Sequence, residues 1–130
     1  MLDRQAPTKT RSCLLDSGAQ FNGYASDVSR SYAFDDGEFE SLIHSMEVLQ
    51  LALCDQAMDG VDFMELNEIA HQLLANVLKA HDIVRCNEAD AYSSGITRSF
   101  LPHGLGHLLG LQVHDVGGKL TDTSGATREA

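Results

Sequence analysis

The sequence predicts an α+β fold, a β-hairpin followed by two long helices packed on an antiparallel sheet. Three observations carry that prediction. Asn22-Gly23 sits between two strand-like stretches, and both residue types tolerate the positive φ of a tight hairpin turn. Apolar residues then recur at intervals of three and four over positions 39–53 and again over 63–78, the spacing of one helix face. From Asn87 onward the chain reads as a short helix, loop and strand-like segments, with no internal repeat.

The elements follow in order. Cys13 to Phe34 reads as β: Leu14 and Leu15 open a short apolar strand. Beyond the turn, Val28, Arg30 and Tyr32 alternate with Ser29, Ser31 and Ala33, which is strand periodicity. Asp36-Gly37 opens the first helix, whose Phe39, Leu42, Ile43, Met46, Leu49 and Leu53 share a face, and Asp59-Gly60 ends it. Asp62 is placed to cap the second helix, with Glu65 completing a capping box. Its stripe is Phe63, Leu66, Ile69, Ala70, Leu73, Leu74, Val77 and Leu78. A third, short helix is expected from Asn87 to Tyr92, then loop and strand over Phe100–Gly118, then a small polar tail. Both long helices need a sheet to cover their stripes, and the visible strands are too few to make a good one.

Composition narrows the function classes. A chain of 130 residues suits one domain. Nine basic and nineteen acidic residues give a formal charge of −10, which sets aside nucleic acid and anionic membrane surfaces as partners. Cys13, Cys54 and Cys86 form no CxxC pair, excluding a zinc ribbon or thioredoxin motif. Reduced thiols and a cytoplasmic location are expected. No apolar run approaches the roughly 20 residues of a membrane span, and MLDRQAPTKTRS lacks the apolar stretch of a signal peptide. GxSxG, P-loop and GxGxxG motifs are absent.

Two clusters could carry chemistry. Asp16 and Asp27 lie eleven residues apart across the Asn22-Gly23 turn, and opposite hairpin strands can bring such residues together. Paired carboxylates repel unless a cation or proton lies between them. Two solvated turn residues fit the same pattern. The second cluster is FLPHGLGHLLGLQVHDVGG, residues 100–118, with His103, His107 and His114. His103 and His107 have i, i+4 spacing, but Gly-Leu-Gly between them is neither HExxH nor helical. Loop histidines of structural or surface character fit equally. Gly104, Gly106 and Gly110 would let the backbone pass close to a ligand or another strand. His44, His71 and His81 read as structural or surface residues, and Cys13 as a small buried hydrophobe.

Together the two stretches are more specific than either alone. LLDSGAQFNGYASDVSRSY followed after two helices by FLPHGLGHLLGLQVHDVGG resembles the pita-bread metallopeptidases. Within them the likeness is greatest to the Xaa-Pro dipeptidases (prolidases) of bacterial type, on the LDRQAP opening and the PHGLGHLLGLQVHDVGG run. It covers nearly the whole chain and is weakest in the helices and the tail. The resemblance implies a partial pita-bread (creatinase/aminopeptidase) fold, with residues 1–130 forming the middle of a catalytic domain. It implies two divalent metals, usually Mn²⁺, held by two Asp, one His and two Glu. On that pattern Asp16 would be a bidentate ligand of one metal, Asp27 would bridge both, and His107 would bind the other. His103 would help hold the substrate, and His114 would steady the tetrahedral intermediate or its proton traffic. A hydroxide shared by the metals would attack the imide bond before a C-terminal proline. Leu105, Leu108 and Leu109 would anchor the histidine stretch in the core.

One departure matters. The family's two glutamate ligands lie further C-terminal, and the only Glu after His107 is Glu129, to which no ligand role is assigned. With three of five ligands the 130-residue chain is expected to be inactive by itself, the full-length protein being the dipeptidase. The family is often dimeric. Other readings are a non-catalytic pita-bread interaction module and a related metallohydrolase with organophosphate side activity. The joint presence of Asp16, Asp27, His103, His107 and His114 weighs against the module.

Overall fold

A computed structural model describes residues 12–34, 37–115, 124 and 126. The chain separates into two units, one made of Met1–Cys13 with Ser31–Leu105, the other of Leu14–Arg30 with Gly106–Ala130.

The β region follows the expected hairpin. β1 (Ser12–Ser17) pairs with β4 (Val28–Ala33), and β2 (Gln20–Phe21) pairs antiparallel with β3 (Tyr24–Ala25). The inner register is Gln20 to Ala25 and Phe21 to Tyr24. Asn22 (φ 51°) and Gly23 (φ 90°) both take the left-handed conformation, which matches the right-handed twist of the flanking strands.

The first long helix, α1, spans Glu38–Gln56 and starts directly after Gly37; the expected opening residue Asp36 lies outside the described residues. Gly60, at φ 87°, turns the chain toward the next helix. α2 (Phe63–Ala80) begins as its sequence signal indicates, with the Asp62 carboxylate accepting from the Met64 N–H at 2.7 Å. That bond satisfies one of the orphan donors of the first turn. α3 (Glu88–Ser93) is capped by Asn87, whose side chain accepts from the Asp90 N–H. A 3₁₀ turn, Ile96–Ser99, follows.

The core lies in the helical unit. Leu74, Ala75, Leu78, Val84 and Ala91 form it, with Leu49, Cys86, Tyr92 and Leu101 packed against them. Within this unit α2 packs on α1, α3 and the 3₁₀ turn. Polar ties reinforce that packing. His81 and the Ser45 hydroxyl are 2.8 Å apart, and the Tyr92 hydroxyl donates to Glu68 at 2.6 Å. His71 is buried in α2 with its Nδ1 3.1 Å from the Thr97 hydroxyl, itself buried. Its role is thus structural. No helix among the described residues is long and apolar enough to cross a membrane.

Two side-chain expectations are corrected. Leu108 and Leu109 are half exposed rather than anchored in a core. The buried apolar residues among those described all belong to the helical unit. Cys13 is only half-buried, and Cys54 is exposed; both are free thiols.

Candidate metal centre

The site is built within the hairpin unit, from the base of the hairpin and the histidine loop. Asp16 is the penultimate residue of β1, and Asp27 directly precedes β4. Between them the two arms close tightly. The Ser26 N–H donates to the Ala19 carbonyl at 2.9 Å, and the Ala19 N–H donates to the Ser26 hydroxyl at 3.0 Å. A Cβ at Gly18 would overlap the Ser26 carbonyl oxygen, so only glycine permits this approach. The Ser29 hydroxyl donates to Asp16 Oδ1 at 2.9 Å and orients that carboxylate.

The histidine loop folds back on itself. The Asp115 N–H donates to the Leu108 carbonyl at 3.0 Å, an isolated antiparallel bridge. The strand expected over Phe100–Gly118 is reduced to that bridge among the described residues. The loop is tied to the hairpin by the Ala25 N–H donating to the Gly110 carbonyl at 2.8 Å. This bond fixes Gly110, and a Cβ there would overlap the Asp115 carboxylate. Of the three glycines singled out, Gly110 is the one where a close approach demands glycine. Gly106 has open space, and Gly104 requires glycine instead through its φ of 79°.

Loop closure brings His107 and His114 together, with ring centroids 4.1 Å apart and planes tilted by 46°. His107 Nε2 lies 3.3 Å from Asp27 Oδ2. His107 Nδ1 lies 3.1 Å from the Leu108 carbonyl oxygen, an acceptor only, so Nδ1 carries the proton of that contact. The carbonyl thereby orients the ring and directs Nε2 at the carboxylate. Asp27, His107 and His114 each offer a donor atom, and these atoms lie within 4.8 Å of one another. The Asp27 and His107 side chains are 26% and 35% exposed, shielded yet open to solvent species.

One carboxylate oxygen and two imidazole nitrogens are the donor types that divalent cations take, so the residues present fit a metal. Asp16 lines the same open groove as Asp27 and His114 but is outside the three-donor cluster. His103 is exposed and belongs to the helical unit. Ser29 escaped the sequence reading as a site residue. Its signal was its place on β4, thirteen residues from Asp16, on the strand that pairs with β1.

Comparison with known proteins bears on this geometry. The sequence pattern of metallopeptidase family M24 matches residues 4–129. The chain is 46% identical over 124 residues to an Xaa-Pro dipeptidase of Shewanella pealeana, covering 95% of this chain and 28% of that protein. It is also 46% identical over 125 residues to Xaa-Pro dipeptidase 1 of Idiomarina loihiensis, covering 96% of this chain and 28% of that protein. The chain thus spans about 28% of the length of these curated relatives. Among solved structures, Pseudomonas aeruginosa aminopeptidase PepP superposes with a TM-score of 0.76 at 23% identity, over 91% of this chain and 27% of that one. An alanine variant of Escherichia coli aminopeptidase P does so with a TM-score of 0.72 at 26% identity, with the same coverage. These likenesses bear out the α+β, partial pita-bread fold expected from the sequence.

Proposed function

The chain belongs to metallopeptidase family M24, and on that premise we propose that it is the middle of the catalytic domain of an Xaa-Pro dipeptidase. The whole protein would hydrolyse the imide bond before a C-terminal proline. The observation that supports this most is the 3.3 Å approach of His107 Nε2 to Asp27 Oδ2, with His114 beside them, in a chain 46% identical to an Xaa-Pro dipeptidase.

Asp16, Asp27 and His107 would hold two divalent ions, Mn²⁺ by preference, with two further carboxylates supplied by other parts of the whole protein. When bound, such ions supply an acidified water and a Lewis acid for the scissile carbonyl. The protein residues have separate work. Ser29 holds the Asp16 carboxylate in one orientation by its hydrogen bond. The Leu108 carbonyl holds the proton on His107 Nδ1, so that Nε2 is the atom offered to the site. His103 would help hold the substrate, and His114 would steady the tetrahedral intermediate or its proton traffic. An Xaa-Pro bond lacks an N–H, so its recognition rests on the carbonyl and the termini, which suits a site of cations and imidazoles. The three free thiols agree with a cytoplasmic location.

The test compares Ala-Pro with Ala-Ala as substrates of a polypeptide carrying this chain at the length of its relatives. Cleavage of Ala-Pro with little of Ala-Ala supports the proposal. Equal cleavage of both, or cleavage of neither with metal bound, counts against it. The 130-residue chain alone, with three of five ligands, should leave Ala-Pro intact.

A further inference from the structure

The segment that carries His103 is held by a polar edge of α2. We infer that Thr97, pinned by the buried His71, is a positioning residue for His103 and through it sets how well the substrate is held. The inference rests on the reading of His103 as a residue that helps hold the substrate. All the residues it uses lie in the helical unit.

Four observations support it. First, Thr97 is 1% exposed and His71 is 3% exposed, with His71 Nδ1 and the Thr97 hydroxyl 3.1 Å apart. Buried polar groups need partners, so each of the two fixes the other. Second, the Thr97 carbonyl accepts from the N–H groups of both Phe100 and Leu101 at 3.0 Å, and Leu101 packs against the helical core. Only Pro102 stands between Leu101 and His103, and its ring locks φ. The lever from Thr97 to His103 is therefore short and stiff. Third, Gly104, on the far side of His103, takes a φ of 79°. The Asn67 side-chain oxygen, buried and without a hydrogen-bond partner among the described residues, lies 3.7 Å from where a Gly104 Cβ would stand. Fourth, Glu68 accepts from the Tyr92 hydroxyl at 2.6 Å and lies 3.9 Å from the Arg98 guanidinium, which ties α3 and the 3₁₀ turn to the same helix.

Asn67, Glu68 and His71 stand close to one turn apart on α2, so one side of a single helix sets the position of the chain from Tyr92 to Gly104. His103 itself is exposed. Its imidazole is free to meet a substrate, while its backbone is held in place. Such an arrangement lowers the ordering cost of binding. Loss of the Thr97 hydroxyl would leave the buried His71 nitrogen unpaired, and the 3₁₀ turn would shift to relieve it, carrying His103 along.

The test uses a polypeptide carrying this chain at the length of its relatives, with Ala-Pro as substrate. Thr97→Val removes the hydroxyl and keeps the shape, whereas Thr97→Ser keeps the hydroxyl. A misplacement of about 1 Å costs on the order of 100-fold, so a smaller tilt in Thr97→Val should raise KM by roughly 3–10-fold. The kcat and the bound metal should stay near those of the unaltered protein, and Thr97→Ser should restore KM. In a His103→Ala background Thr97→Val should add less than ~2-fold, because its effect passes through His103. Amide hydrogen exchange of the unaltered protein gives a readout independent of any variant's folding. The Phe100 and Leu101 amides should exchange no more than ~10-fold faster than those of Leu74 and Leu78 in α2. Faster exchange than that overturns the inference, as does an equal KM rise in Thr97→Ser or a full effect of Thr97→Val in the absence of His103. If His103→Ala raises KM and Thr97→Val does not, this inference fails and the reading of His103 stands. If neither raises KM, both fail.

Discussion

Gly110→Ala is the substitution that most directly probes how the site is held. An alanine Cβ there would overlap the Asp115 carboxylate oxygen and come within 2.8 Å of its Cγ, while the Asp115 Cβ stays at 3.4 Å. The backbone cannot yield freely. The Gly110 carbonyl accepts from Ala25 at 2.8 Å, its N–H donates to the Gln112 carbonyl at 3.1 Å, and Asp115 is bonded to Leu108 at 3.0 Å. Relief must come from the Asp115 side chain, and an off-rotamer side chain costs about 0.5–1.5 kcal/mol. Overpacking in a fixed frame costs about 1–3 kcal/mol, so a loss of about 1–2 kcal/mol in loop stability is expected. The hairpin unit has no apolar core of its own among the described residues, so the loss should appear as local opening. Amide hydrogen exchange at Ala25 and Asp115 is the assay, and 1–2 kcal/mol corresponds to exchange about 5–30-fold faster. Asp115→Ala removes the atoms that the new Cβ meets, so the double variant should recover about 1 kcal/mol relative to the sum of the singles. Unchanged protection in Gly110→Ala, or strict additivity in the double variant, would refute this reasoning.

Three further outcomes are expected. In a polypeptide of the relatives' length, Asp27→Asn should abolish Ala-Pro hydrolysis and lower bound metal in elemental analysis, because a neutral amide cannot offset the charge of adjacent cations. His103→Ala should reduce hydrolysis by at least ~10-fold while leaving metal content near that of the unaltered protein; metal loss would make His103 a ligand. Leu78→Ala, at a position 3% exposed in the helical core, should destabilise that unit by about 2–5 kcal/mol in denaturant titration followed by circular dichroism.

What was legible in the sequence was local. The hairpin turn depends on the φ values of Asn22 and Gly23 alone, and both are positive as expected. The Asp62 cap acts within two residues of itself, and α2 begins where it indicates; α3 starts at Glu88, one residue after the expected Asn87. The histidine loop was not legible in this way. Its shape depends on Ala25, distant in sequence, bonding to Gly110, and on the Asp115 to Leu108 bridge, neither of which a local pattern signals. His71 sat beside an apolar stripe with no sign of a partner; Thr97, 26 positions later, supplies one in the interior. Leu108 and Leu109 were expected to anchor the histidine stretch in a core, and both are half exposed. Of the expected ligands Asp16, Asp27 and His107, the last two lie 3.3 Å apart, and the approach of His114 to them depends on the folded loop.

The most direct test of the dipeptidase reading is release of proline from Ala-Pro by a polypeptide carrying this chain at the length of its relatives, measured after chelation and again after Mn²⁺ is restored. The account predicts no release in chelator, recovery with Mn²⁺, and no recovery in Asp27→Asn. Release at an equal rate in chelator, or none with two ions bound per chain, would contradict it.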